Sequence, residues 1–395
     1  MYKILYICKM IIKREIQSEL ENLMKEYPVV TVTGPRQSGK TTLTKLTFPD
    51  FNYCNLENPE IRQLAEKDPN AFFSRFPCPL IIDEIQRVPD LLSYIQSIVD
   101  LEKRNGMFLL TGSQQLLLSE SVSQSLAGRT ALLQLLPFSI KELLSENINL
   151  NRNELILKGF LPRIYDHNQN PTKANRNYFQ TYVERDLRQL LQIRDLSLFE
   201  NFIKLLAGRV GQVLNLQSIS NDLGVTSTTL SHWLSVLEAS FIVFKLYPYF
   251  ENFGKRLIKA PKIYFTDVGL VSYLLGIETE EQVSRDPLLG GLFENLVVME
   301  AVKSRLNKGL DPNLYFFRDN NKNEVDLVFR KHNSLIPIEI KAAMTYHERL
   351  TKGIKFFQKI SKKSKKAHLI YSGKLNFKSE NFDVINFTET HSVFS

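Results

Sequence analysis

The stretch GPRQSGKTT, Gly34 to Thr42, carries the spacing G-x-x-x-x-G-K-S/T between an apolar run and a helical pattern. Such a loop turns backbone N–H groups inward around a phosphate chain, and the helix after it adds the partial positive charge of its N-terminus. Gly34, Pro35, Arg36, Gln37, Ser38 and Gly39 would form this cradle, with Thr42 beside it. Lys40 would reach the β- and γ-phosphates of ATP, and Thr41 would offer its hydroxyl to Mg²⁺. A second stretch, PLIIDEIQ, ends an apolar run on Asp83, placed to bind the same Mg²⁺, and Glu84, placed to activate the attacking water. A third, PIEIKAA, sets Glu339 and Lys341 two residues apart, so that in a strand both stand on one face. That pair is either a structural ion pair or half of a metal-dependent site.

These residues need strands and helices to hold them, and the apolar patterning supplies candidates. Val29 to Val32, Leu80 to Ile82 and the run GMFLLTGSQ read as buried parallel strands. The last ends in Thr111 and Ser113, whose hydroxyls would face the γ-phosphate or the attacking water. Arg129 follows Gly128; it is either a surface residue or an arginine finger, acting in cis or from a neighbouring subunit. From about Asn151 to Leu206 the spacing is helical, with Tyr178, Tyr182, Leu187, Leu190 and Leu191 in phase and Glu184 to Asp186 on a solvated or nucleotide-facing side. Leu216 to Leu223, a break at Gly224 and a second helix capped by Thr226 give a helix-turn-helix pattern, followed by strand-like FIVFKLYPYF and KIYFTD. Ser227, Thr228, Ser231 and His232 begin the second helix and include no Arg or Lys, which weakens the case for base readout, so DNA contact and protein contact stay open as alternatives.

A chain of 395 residues exceeds one ordinary core and implies two or three domains. With 43% hydrophobic and 23% charged residues it is a folded, soluble chain rather than a disordered one. Fifty basic against 42 acidic residues leave +8, which suits a nucleic-acid partner without requiring one; the tract KISKKSKKAH, Lys359 to His368, is either a solvated loop or a phosphate-binding segment. Cys8, Cys54 and Cys78 form no metal-ligand spacing, which favours a reducing cytoplasm. No apolar run reaches the ~20 residues of a membrane span, so no membrane partner is expected. Met10 opens a good helical start, so the first nine residues are expected to be either an upstream extension or the product of a misplaced start codon.

GPRQSGKTTL, LIIDEIQ, LLTGSQ and SLAGR, followed by YVERDLRQL, KRLIKAPKIYFTDVGL and FRDNNKNEVDLVF, together resemble a family of bacterial and archaeal AAA-type ATPases over nearly the whole chain from Met10. The resemblance implies ATP binding and hydrolysis. The helix-turn-helix segment resembles a winged-helix domain. The later order of helix with Glu294, strand, strand with Asp326, strand with Glu339-x-Lys341, helix and strand resembles the PD-(D/E)XK nuclease fold, although Val325 stands where that motif carries proline. By that likeness Asp326 and Glu339 would share Mg²⁺ or Mn²⁺, Glu294 would add a third oxygen, and Lys341 would orient or activate water. The expected fold is α/β: an extension at 1–9, a P-loop NTPase (AAA-type) domain at 10–150, a helical connector at 151–206, a winged-helix-like unit at 207–255 and a restriction-endonuclease-like α/β domain at 256–395. The expected function is an ATPase whose C-terminal domain binds and cleaves nucleic acid, DNA rather than RNA. The alternative is a nucleotide-gated DNA- or protein-binding switch that cuts nothing. A homo-oligomer would suit a finger supplied in trans.

Overall fold

Strands β1 (Val29–Thr33), β2 (Asn52–Asn55), β3 (Leu80–Asp83), β4 (Phe108–Gly112) and β5 (Thr130–Gln134) pair in the order β2-β3-β4-β1-β5, all parallel, in the computed structural model. The structure describes residues 11–113, 125–182, 195–250 and 260–394. The proposed extension at 1–9, the Glu184–Asp186 segment and the periodic Leu187, Leu190 and Leu191 lie outside the described residues. The strands read as unbroken apolar runs because helices cover both faces of the sheet. Successive side chains alternate: Leu80, Ile82, Phe108 and Leu110 enter one core, while Ile81, Leu109, Val30 and Val32 enter the other.

Helices Arg152–Lys158, Pro162–Asp166, Pro171–Tyr178 and Leu196–Ala207 follow, and Tyr178 and Tyr182 are buried as their spacing requires. Helix Leu216–Leu223 ends at Gly224 in the left-handed region, and the Thr226 side chain accepts from Thr229 N to cap helix Ser227–Ala239. Strands β6 (Val243–Leu246) and β7 (Lys262–Phe265) then pair antiparallel. The boundary expected at 255/256 therefore falls between two paired strands. The middle unit runs through β7, because the apolar residues of KIYF find their partners backwards in the chain.

The last sheet orders its strands β12-β13-β11-β10-β9-β8, with β8 Leu314–Arg318, β9 Glu324–Lys331, β10 Ser334–Lys341, β11 Ala367–Tyr371, β12 Phe377–Lys378 and β13 Phe382–Asn386. β8, β9 and β10 form an antiparallel meander; helix Lys352–Ile360 then carries the chain across to β11, parallel to β10. Helix Leu289–Leu306 packs against the sheet through the large core that runs from Ile12 to Phe394. No helix among the described residues is long and apolar enough to cross a membrane.

Candidate functional site

The loop between β1 and helix Lys40–Thr47 forms the first site. Gly34 is forced: its backbone sits at φ 151°, and a Cβ there would overlap the Leu135 carbonyl. Arg14, buried, ties the loop down by donating to Ser38 O at 2.7 Å and Leu136 O at 2.6 Å while pairing with Glu142 at 2.9 Å. Lys40 Nζ donates to the carbonyls of Gly34 and Pro35, each at 2.9 Å, and burial pulls its pKa down to about 8. Thr41 Oγ1 donates to Asp83 Oδ2 at 2.8 Å, so the two oxygens expected to share Mg²⁺ already meet. They are hard oxygen donors of the kind Mg²⁺ takes beside nucleotide phosphates.

Glu84 follows at the mouth of the same cavity, its backbone in the left-handed region at φ 59°. Its carboxylate accepts from Ser113 Oγ at 3.1 Å and from Gln86 Nε2, and Thr111 Oγ1 binds Asp83 Oδ1. Ser113 is thus brought to Glu84. The cavity, about 480 Å³, is lined by Arg36, Gln37, Lys40, Thr41, Thr42 and Glu57 and also by Arg163, His167 and Tyr182 of the helical connector. Sequence reasoning missed these last three; two basic groups within a helical run whose apolar faces turn inward were the available signal. A smaller, more apolar cavity of about 180 Å³ adjoins it, with Ile11, Ile12, Leu43, Phe138 and Pro162 in its walls.

Arg129 stands elsewhere. β5 runs parallel to β1 with Thr130 opposite Val29, so Arg129 precedes the end of the sheet remote from the P-loop. Its guanidinium grips Asp100 with two bonds of 2.6 and 2.9 Å. Of the readings open for Arg129, a finger in cis does not fit the strand direction, because the loop that would have to reach the phosphates enters the sheet at the wrong end.

The second site lies on the hairpin of β9 and β10. The register pairs Ile338 with Leu327, which sets Glu339 opposite Asp326 on one face. Lys341 Nζ lies 2.6 Å from Asp326 Oδ2 and 2.6 Å from Glu339 Oε2. Asp326 also accepts from Ile340 N at 2.8 Å. Burial, reinforced by the Asp326 charge, pushes Glu339 up to about 9; burial would raise Asp326 too, but Lys341 and Lys262 outweigh it and hold that carboxyl at about 2. The site opens onto a cavity of about 400 Å³ rimmed by Lys322, Arg349 and Lys352. Gly353 presses against it so closely that a Cβ would overlap Glu339 Oε1 and the Glu324 carbonyl.

Glu294 does not join this pair as a third oxygen. It accepts from Lys262 Nζ at 2.8 Å and from Tyr264 Oη at 2.6 Å. Lys262, buried, also meets Glu324 at 2.6 Å. Among the described residues no group of three or more acidic, His or Cys side chains is arranged to hold a metal ion. A buried ammonium has taken the partner that the expected trio needed. Two carboxylates still suit Mg²⁺, which is usually held by one or two of them together with substrate phosphates.

Comparison with known proteins follows the same division. Residues 26–144 match an AAA domain, residues 150–281 a domain of unknown function (DUF8612) and residues 289–390 another (DUF4143). An uncharacterized protein of Mycobacterium tuberculosis is 33% identical over 344 residues, covering 86% of this chain and 76% of that protein. An uncharacterized protein of Haemophilus influenzae is 25% identical over 349 residues, covering 79% and 82%. Among solved structures, a Walker-type ATPase of Pyrococcus abyssi aligns over 67% of this chain and 96% of its own at 15% identity, with a TM-score of 0.47. The AAA match, the parallel sheet and the loop after β1 agree on an AAA-type P-loop fold for the first domain.

Proposed function

This chain belongs to the family of AAA-domain proteins that includes the mycobacterial relative, and from that premise we propose that it is a magnesium-dependent ATP hydrolase. One observation carries the reading: Lys40, the Thr41–Asp83 contact and Glu84 converge on a single open cavity behind a glycine-bearing loop. Mg²⁺, held by Thr41 and Asp83, would neutralise charge on the β- and γ-phosphates. Lys40 exchanges two neutral carbonyl partners for phosphate oxygens, and Glu84, oriented by Ser113 and Gln86, takes the proton of the attacking water. Arg163 faces the same space from the connector and would add positive charge beside bound phosphates, His167 lines it as well, and the adjoining apolar cavity suits the base. Phosphate release from ATP by the purified chain is the test. Glu84→Gln should retain nucleotide and lose turnover, and turnover at the parent rate in that variant would remove Glu84 from the chemistry.

A second reading concerns the hairpin pocket, favoured by the Asp326–Lys341–Glu339 contact at its floor. In this reading the pocket receives a nucleic-acid phosphodiester, with the carboxylates as the metal-holding groups and Lys341 as the group that orients water or offsets charge. A linear duplex incubated with Mg²⁺ or Mn²⁺ should be cut by the chain and left whole by Asp326→Ala. Equal cutting by both would place the activity in another protein, and no cutting by either would leave a binding pocket.

A further inference from the structure

The tract Lys359 to His368 does not border the carboxylate pocket. It wraps round to the opposite end of the same sheet. Leu335, near the start of β10, donates from its N–H to Lys363 O at 3.0 Å and accepts from Lys365 N at 2.8 Å, so the loop is stitched on as a short extra strand. On the other side of Leu335 the register sets Arg330, and Lys331 faces Ser334. Three neighbouring backbone segments therefore present Arg330, Lys331, Lys362, Lys363, Lys365 and Lys366, all exposed, at one edge of the domain. Lys366 pairs with Asp383 at 2.7 Å, which fixes the end of the loop against β13, and Lys331 and Lys363 also have partners. With Asp383 set against Lys366, these groups keep an excess of five cations, where the whole chain sets 50 basic against 42 acidic residues. Leu335 to Lys341 spans about 20 Å at ~3.3 Å per residue, which separates the edge from the carboxylates.

We propose that this edge is a docking surface for the backbone of duplex nucleic acid, separate from the hairpin pocket and from the ATP site. The scaffold is ordered by main-chain bonds, so its lysines need not be gathered on binding. Adjacent segments lie ~4.8 Å apart, so the three span about 10 Å, over which a duplex presents about six phosphate charges. Interleaved Asn333, Ser334 and Ser364 supply the neutral donors that accompany Lys and Arg at phosphates. An anionic membrane would use the same charge, but neither loop carries an exposed large apolar side chain to enter the headgroup layer. The edge is built from strand ends and a loop, so the contact is one of backbone charge, without base preference. The proposal extends the second reading above but does not need the pocket to be catalytic.

The experiment is fluorescence anisotropy of the full chain with a labelled 30-base-pair duplex across a salt series. The variant Arg330→Gln, Lys331→Gln, Lys362→Gln, Lys363→Gln, Lys365→Gln should lower the log–log salt slope by about 3 to 5 and weaken binding at least about 100-fold at low salt. The corresponding lysine-to-arginine variant at 331, 362, 363 and 365 should bind like the parent, which separates charge from folding. Lys67→Gln, an exposed charge on the first domain, should leave binding unchanged. Parent-like affinity in the five-fold glutamine variant would overturn the proposal. So would an equal loss of binding in Lys67→Gln, which would make the binding an effect of net charge rather than of this edge. Capture by phosphatidylserine vesicles without duplex binding would assign the edge to a membrane surface instead.

Discussion

Each of the two pockets sets a lysine beside carboxylates near a strand end, and they treat it oppositely. Lys40 is held by two neutral carbonyls at 2.9 Å, and burial weakens its charge. Lys341 is clamped by two carboxylates at 2.6 Å, and although burial works against its charge, Asp326 and Glu339 drive its pKa above the ordinary value. An ammonium on carbonyls gains when a polyanion arrives, because it trades dipoles for full charges. An ammonium between two carboxylates has its electrostatic demand met already. The first pocket is built to receive an anion unaided; the second must first be given a cation. The contrast is one of counter-charge rather than of fold, and substitution can break it from either side.

The largest effect is expected at the cradle. Lys40→Ala should reduce phosphate release by at least about 10³-fold and abolish binding of a fluorescent ATP analogue, since it removes the ammonium that rests on neutral carbonyls at the loop's centre. The same substitution should leave duplex binding at the basic edge untouched. Retained nucleotide affinity would show that Lys40 is as internally satisfied as Lys341, and the contrast would fail. The next effect tests the counter-charge argument in the C-terminal half. Lys262→Met strands Glu294 and Glu324 without their buried cation and should cost about 3–5 kcal/mol in urea unfolding. Adding Glu294→Gln should recover part of that loss, because the pair interacts directly. A double variant no more stable than the single one would mean that Lys262 acts by packing on Phe316, to whose ring it lies 5.5 Å away.

How much of this was legible beforehand follows from the range over which each constraint acts. Phosphate binding is local: a loop, a lysine and a hydroxyl within eight residues carry it, so Gly34 to Thr41 could be read directly. The Asp326–Glu339–Lys341 arrangement was legible because a strand repeats every two residues and a short hairpin fixes the register. Lys262 was not. Its partners stand 32 and 62 residues later, and the one clue was a lone lysine opening the otherwise apolar run KIYF. Glu294 was misassigned for the same reason, since helical position says which way a side chain points but not which cation is waiting. Arg129 stayed open between a surface residue and a finger for a different reason. Its motif suggested the nucleotide, but parallel pairing of β5 with β1 decides which end of the sheet it occupies, and pairing order is a property of the whole sheet.

Gly353 sharpens the comparison at a smaller scale. Its missing Cβ lets helix Lys352–Ile360 approach until backbone touches the Glu339 carboxylate. Gly353→Ala should cost about 1–3 kcal/mol by overpacking and displace Glu339 from Lys341. If the second pocket depends on that clamp, Mn²⁺ affinity measured by electron paramagnetic resonance should change while ATP turnover stays put. Turnover that falls in step with metal affinity would mean that the two pockets are energetically coupled and cannot be treated as independent halves.

The smallest effect is expected at Arg129, and its smallness is the informative part. Its guanidinium is engaged by Asp100 at the end of the sheet where β1 and β5 begin, about 16 Å along the strands from the P-loop that follows Thr33. Within one chain, strand direction keeps it from the phosphates, so Arg129→Ala should hydrolyse ATP at the parent rate in dilute solution, and Asp100→Ala should do the same. A finger offered to a neighbouring copy makes a different demand. Turnover per chain would then rise with protein concentration in the parent and in Asp100→Ala, yet stay flat in Arg129→Ala. Rates measured over a hundredfold range of concentration therefore separate a surface ion pair from a shared active site. A flat profile in all three proteins leaves the cradle complete within one chain, with Arg163 and His167 as the basic groups that face its open side.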